Sequence, residues 1–434
     1  MKKIFQYIML AVVTIVMASC TSDIEETTAT TGKSNVQLVV GEFPAFGDSQ
    51  TRAIGTPDEG KTSWAEGDEL LLEMTSKTLG TKYAAFTYNG SSWELTSGEL
   101  SYKEDEVPTF PHVYYAPNYK WEAGKLVLKE GKAAGTDEYI EGKANITPNG
   151  QGINVSFTDA TRNYSRLRIA TMPNKQITVA INKYIPAGSS SMEWFQDIAL
   201  TSDEKGNAYL YGTFVRYFDF EVKYEGAPLA SHTFYQAAEN AKSYALDATV
   251  VSLADEGITY DQIVEDVKKE LDAGKTYINL MLAPDADEET LDAIHIGLQD
   301  ARYGSINLTL IGCKKIPSRG FMHFDMLKSI ALPDVTEIGE NAFSDCTRLQ
   351  KIVLGNLTKV YGKAGEKGIF EGCRTKDIDL VLSKDQKVMN GGETEGGYCW
   401  TADITKDYSG SDEHNGRVFL DYDFQSITCG YPVP

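Results

Sequence analysis

The sequence has no apolar stretch long enough to cross a bilayer as a helix, which takes about 20 residues. The N-terminal run Ile4 to Met17 is too short. Positive charge is also scarce. Against 62 acidic residues stand 41 basic ones, a net charge of −21, and a surface this acidic repels nucleic acid and anionic lipid headgroups. Nucleic-acid binding is therefore disfavoured. Paired metal ligands are missing as well. The six cysteines form no Cys-x-x-Cys pair, which disfavours structural zinc. The five histidines, His112, His232, His295, His323 and His414, lie too far apart to share a helix or hairpin. A metal centre would have to be assembled entirely by the fold. No Gly-x-Ser-x-Gly elbow, phosphate-binding Gly-Lys loop or zinc-protease helix occurs. Catalysis has no residue to stand on, so the chain is not expected to be an enzyme or to carry a cofactor.

What is present is an ordinary globular mixture, 42% hydrophobic and 24% charged, long enough at 434 residues for about three domains. Lys2 and Lys3 ahead of the Ile4–Met17 run read as a secretory signal. The run ends in Met17-Ala18-Ser19-Cys20, which resembles the bacterial lipobox. That resemblance implies cleavage after residue 19 and a lipid on the Cys20 thiol; an ordinary signal with an incidental Cys20 is the alternative. Cleavage would remove Lys2 and Lys3, leaving 39 basic against 62 acidic residues and a net charge of −23. Ser22-Asp23-Ile24-Glu25-Glu26 resembles the surface-export signal of lipoproteins from fimbriated gut and oral anaerobes, or serves as a solvated tether. Residues 20–34 read as a flexible stalk.

From Asn35 to about Val250 the pattern is β. Apolar residues alternate at Val36-Leu38-Val40, Ile153-Val155-Phe157, Ile177-Val179-Ile181 and Phe218-Phe220-Val222, as one-sided burial of a strand requires. Breaks such as Asn89-Gly90 and Glu225-Gly226 are turn chemistry. Thr51-Arg52-Ala53, Trp64-Ala65-Glu66-Gly67-Asp68, Val113-Tyr114-Tyr115-Ala116-Pro117 and Lys242-Ser243-Tyr244-Ala245-Leu246 together resemble the fimbrillin-like lipoproteins over residues 35–250. The resemblance implies two tandem transthyretin-like β-sandwiches, residues 35–150 and 151–250, divided near Gly150. It also implies a place among pilus subunits, tips or anchors. Polymerising members of that family are cut after a basic residue beyond the first strand, and Arg52 is the matching position; it is otherwise a loop arginine.

Beyond Thr259 the period changes. Thr259 and Gln262 make a capping box, Ile263, Val264, Val267 and Leu271 share a helical face, and Gly274 ends the helix. A short strand-like unit then recurs as Ile278–Leu282, Ile306–Leu310, Ser329–Leu332, Lys351–Leu354 and Ile378–Leu382. This recurrence predicts a short solenoid of stacked repeats. Phe321, Phe343 and Phe370 occupy one inward column, with Cys346 and Cys373 in another. The stretch Ile330 to Cys346 resembles the BspA-type leucine-rich repeat of surface adhesins. Residues 251–434 are thus expected to form a leucine-rich-repeat domain, with a helical cap at one end and a C-terminal tail at the other. Asp285, Asp287, Glu288 and Glu289 either suggest calcium or match the N-terminal dipole of the helix that follows.

Two further groups bear on function. Tyr114, Tyr115, Tyr119 and Trp121 cluster, either as a binding patch or as sandwich core and rim. Cys399 and Cys429 flank a Gly- and Asp-rich tail and either form a disulfide or stay free, since spacing does not decide it. The leading expectation is a cell-surface lipoprotein, held in the outer membrane through Cys20. Its concave repeat face would bind a protein or host-surface ligand. The alternatives are a pilus tip, anchor or accessory subunit contacting other pilus subunits, and an exported glycan-binding protein.

Overall fold

The computed structural model describes residues 37–44, 46, 60–103, 106–148, 150, 152–157, 162–407 and 417–431. The chain is mainly β, with two α-helices among the described residues.

The first sheet draws on β1 (Gln37–Val40), β2 (Glu69–Ser76), β3 (Gly80–Tyr88), β4 (Trp93–Gly98), β5 (Thr109–Tyr115), β8 (Ile140–Ile146) and β9 (Gly152–Ser156), with β6 (Tyr119–Glu122) and β7 (Lys125–Leu128) as a separate hairpin. Its order is β1-β9-β8-β5-β2-β3-β4. Only β1 against β9 is parallel. Leu70, Leu72, Met74, Val113, Ile153 and Val155 fill its core. Because β9 belongs here, the change of sheet falls after Ser156 rather than at Gly150.

The second sheet comprises β10 (Ser165–Ala170), β11 (Gln176–Pro186), β12 (Glu193–Thr201), β13 (Asn207–Thr213), β14 (Phe218–Tyr224), β15 (Ala227–Phe234) and β16 (Ser243–Asp247). It runs β15-β14-β11-β13-β10-β16, with β12 paired to β11 off that path. The alternation read in the sequence sets its faces. Phe218, Phe220 and Val222 are buried, while Asp219, Glu221 and Lys223 point the other way.

The third unit is a parallel ladder. Its rungs are β17 (Val251–Leu253), β18 (Tyr277–Leu282), β19 (Ile306–Ile311), β21 (Leu327–Leu332), β23 (Lys351–Leu354), β25 (Asp379–Ser383) and β30 (Ser426–Tyr431), hydrogen-bonded in that order. Five rungs coincide with the recurring units of the sequence; β17 and β30 extend the ladder by one at each end. A second, smaller sheet links β20 (Lys315–Ile316), β22 (Glu337–Ile338), β24 (Lys359–Tyr361), β27 (Gly397–Asp407) and β26 (Lys387–Thr394). A hairpin of β28 (Val418–Phe419) and β29 (Tyr422–Asp423) precedes the last rung. The first helix, Tyr260–Asp272, carries the expected capping box of Thr259 and Gln262. The second, Glu288–Leu298, is capped by Asp287, which accepts from the Thr290 backbone N–H at 2.9 Å.

One partly buried contact ties the second sheet to the ladder. Lys275 Nζ lies 2.8 Å from Asp247 Oδ2 and also reaches Glu270 and Thr249. Burial pushes the Asp247 carboxyl up, but hydrogen bonds from Lys275 and Thr249 outweigh it and hold the group below its ordinary 3.8. A carboxyl depressed in the folded state stabilises above its unfolded value, and that contribution fades as pH falls through the folded one. Lys275→Met is therefore expected to cost about 2 kcal/mol at pH 7 and much less near pH 3. Urea titration at both pH values checks this, and an equal loss at both would refute the role given to Asp247.

Candidate interaction surface

The ladder's geometry decides which of its faces are available. Along each rung every second side chain points inward: Leu280 and Leu282, Leu308 and Leu310, Ile330 and Leu332, Ile352 and Leu354, Leu380 and Leu382 are all buried in one core. Between the rungs, Phe321, Phe343 and Phe370 stack face to face, with centroids 5.4 and 5.5 Å apart. The Cys346 thiol donates to the Phe321 carbonyl at 3.0 Å, and Cys373 donates to Phe343 at 2.9 Å. Burial pushes the Cys313 thiol up to about 11 and Cys373 to about 12, and raises Cys346 as well. Thiols held protonated in this way are packing groups rather than nucleophiles.

Residues 311–388 match the BspA type leucine-rich repeat region in six copies. This part of the chain is a BspA-type leucine-rich repeat region. The repeat points to binding rather than catalysis. No curated protein sequence matches the chain. Among solved structures, a chain from Bacteroides fragilis NCTC 9343, described as a candidate cell adhesion protein, aligns over 49% of this chain and 92% of its own length. Its identity is 10% and its TM-score 0.27, so the likeness supports nothing further.

The outward face of the repeat strands, expected to be open to a partner, is partly occupied by the chain itself. Thr309 Oγ1 donates to the Pro228 carbonyl at 2.7 Å, and Asn279 Nδ2 donates to Leu229 at 2.9 Å. Ala227 packs among Ala331, Val353 and Val381. Met281 and Ile311 join the core of the second sheet. Strand β15 thus covers the middle of the repeat face. The reason is apolar area: Ala331 and Val353 turn away from the repeat core and need cover.

Between the second sheet and the repeat face lies a cleft of about 750 Å³. One wall carries Thr178, Asp197, Ala199 and Lys223, and the other Val353, Val381 and Thr428. Lys351 Nζ bridges the walls to Glu221 Oε1 at 3.3 Å, while Lys223 holds the other Glu221 oxygen at 3.2 Å. The cleft combines apolar floor with paired charge, which suits a polypeptide better than a small apolar molecule. A second cavity of about 600 Å³ lies beside the second helix, lined by Asp287, Glu288, Asp292, His295 and Arg319. Its Asp287 is already engaged as a helix cap, and backbone and side-chain hydrogen bonds from Thr290 lower that carboxyl. His295 packs against Phe324 with ring centroids 4.1 Å apart and tilted by 30°, and burial lowers the pKa of its imidazole.

The other residues singled out in the sequence fare differently. Tyr114, Tyr115 and Tyr119 are 9, 3 and 7% exposed and Trp121 is half-buried, so they do not form a surface patch. Tyr115 packs with Phe43 and Trp64, while Tyr114 and Tyr119 close on Tyr139 under the β6–β7 hairpin. Cys399 and Cys429 are both free. They sit on strands of two different sheets, Cys399 opposite Tyr361 and Cys429 opposite Leu382. Cys20 and Arg52 lie outside the described residues.

Sequence reasoning missed the exposed aromatics altogether. Trp194 and Phe195 on β12 are 54 and 81% exposed. Their one sequence signal is that Trp194-Phe195 falls where the β alternation breaks.

Proposed function

We propose that the chain is a surface-displayed binding protein, an adhesin in the broad sense, whose repeat region supports a protein-binding cleft. The BspA-type repeats at residues 311–388 carry this reading, because a stack of rigid rungs is a scaffold with no reacting group in it. The finer picture follows from the sequence: two sandwiches of the fimbrillin-like kind, a short solenoid, and a lipid on Cys20 holding the molecule to the outer membrane with its folded part outside the cell. Each of the first two sheets carries one parallel edge pair, β1 with β9 and β16 with β10, a symmetry that favours two related units.

Shaving intact cells with protease tests the display. The chain is expected to be cleaved on whole cells, and Cys20→Ala to be released from the membrane fraction. Complete protection on intact cells would refute surface display. Binding of the purified chain to immobilised extracellular-matrix proteins, and its loss when Thr178 and Thr428, which line the cleft without being buried, are both replaced by Arg, tests the cleft.

A second reading is a pilus accessory subunit. It is favoured by β1, an edge strand that pairs only with β9 among the described residues and inserts Leu38 into the core. Losing β1 would open a groove for a partner's strand. Arginine-specific proteolysis of whole cells should then give oligomer ladders.

A further inference from the structure

We propose that the open edge of β12 is a docking strand for an extended, basic segment of a partner protein, anchored by Trp194 and Phe195. The proposal rests on the protein-binding reading above and deepens it by naming where a partner attaches and what chemistry it brings.

Strand β12 pairs with β11 alone among the described residues, so its other edge has no strand partner, although Gln196 Nε2 donates to the Trp194 carbonyl at 3.0 Å. Proteins blunt edges with charged side chains, lysine above all, with proline, with bulges or with a cover, and the charge on β12 is acidic, from Glu193 and Asp197. Strand β12 spans nine residues and contains neither lysine nor proline. Ile198 and Leu200 turn inward and fix the strand to its sheet, leaving the rest in water. Phe195 has φ +50°, the left-handed region that aromatic side chains rarely enter. Backbone strain of this kind tends to survive where function uses it. Across the sheet Lys183 stands over the Trp194 ring at 6.0 Å from its centroid, holding one face of the indole, and the Phe195 ring lies 6.4 Å from it. Large aromatics held out in this way are the usual anchors of protein interfaces.

Charge selects the partner. The only charged residues on β12 are Glu193 and Asp197. Pairing two copies through this edge would bring acidic strands together on chains that each carry −21, and like charges facing across a ladder oppose pairing. An incoming strand bearing Lys or Arg opposite Glu193 and Asp197 meets no such penalty. Strand addition to the edge then supplies main-chain hydrogen bonds, and the two aromatics supply contact area.

The test uses the full chain and a phage-displayed library of random twelve-residue peptides, with Trp194→Ala/Phe195→Ala as the comparison. Both residues are exposed, so the variant should keep the parent's circular dichroism and melting midpoint. The expected result is enrichment of peptides alternating basic and aliphatic residues, about tenfold weaker on the variant, with amide exchange slowed at residues 193–201 on binding. Peptides that bind the variant equally, or that slow exchange at Val353, Val381 and Thr428 on the ladder wall of the cleft without slowing it at residues 193–196, would overturn the β12 assignment while leaving the protein-binding reading intact. Failure to enrich any peptide, self-association through β12, or loss of glycan-array binding in the variant without peptide binding would each overturn it too. Full protection of the chain from protease on intact cells would refute surface display without touching this result.

Discussion

Phe343→Ala is expected to cost the repeat region about 4 kcal/mol. The ring is wholly buried and lies between Phe321 and Phe370, tilted by only 5° and 15° from them. Truncating it removes the transfer free energy of the ring, opens a cavity in a rigid stack and breaks two aromatic pairs, each worth about 1 kcal/mol beyond its area. Collapse cannot refill the gap, since the neighbouring rings are pinned by rungs on both sides: Phe321 N–H donates to Ala342, and Phe343 N–H donates to Ile369. In a ladder each repeat is stabilised chiefly by its neighbours, so the loss should spread along it. Hydrogen exchange is expected to accelerate across β21, β23 and β25 while β2 and β3 in the first sheet keep their protection. Phe343→Leu should cost about half as much. A uniform acceleration over all three sheets, or a loss below about 1 kcal/mol, would mean that the phenylalanine column does not bind the repeats together.

That column was legible in the sequence because inward side chains recur at a fixed period and each is dictated by the same local geometry. Rungs β18 to β25 were legible for the same reason. Rung β17 escaped notice because it is three residues long. Rung β30 escaped because Cys429 stands where Leu382 supplies the second leucine one rung earlier. The site was much less legible. Whether a tyrosine lies in the core or on the surface depends on what crosses above it, and Tyr119 is buried by Tyr139, twenty residues away. The covering of Ala331 and Val353 by Ala227 joins residues more than a hundred positions apart, which no local period encodes. Trp194 and Phe195 stand out only once β12 is known to be an edge.

The same distance problem hid the ion pair that joins the first two sheets, and its removal should have the second large effect. Arg162 donates from Nη2 to Glu138 Oε1 at 3.1 Å and from Nε to Oε2 at 3.3 Å, with side chains only 1 and 5% exposed. The Tyr164 hydroxyl donates to the same carboxylate and accepts the Tyr139 N–H at 3.2 Å. The guanidinium also lies 4.0 Å above the Phe46 ring, so a residue shortly after β1 is held by the same group. Arg162→Met is expected to lower stability by about 3–5 kcal/mol, because it strands a buried carboxylate with the tyrosine as its remaining side-chain donor. Replacing both partners, Arg162→Met with Glu138→Leu, removes the uncompensated charge together with the attraction. It should therefore recover most of the loss. Urea denaturation of the two single variants and the double variant forms the cycle that measures the coupling. If the double variant is no more stable than Arg162→Met alone, the loss comes from packing around Phe46 rather than from the stranded charge. If Arg162→Met is nearly neutral, the two sheets are held together by the packing of Phe46 on Tyr164 and Tyr211 and the charge pair is a passenger.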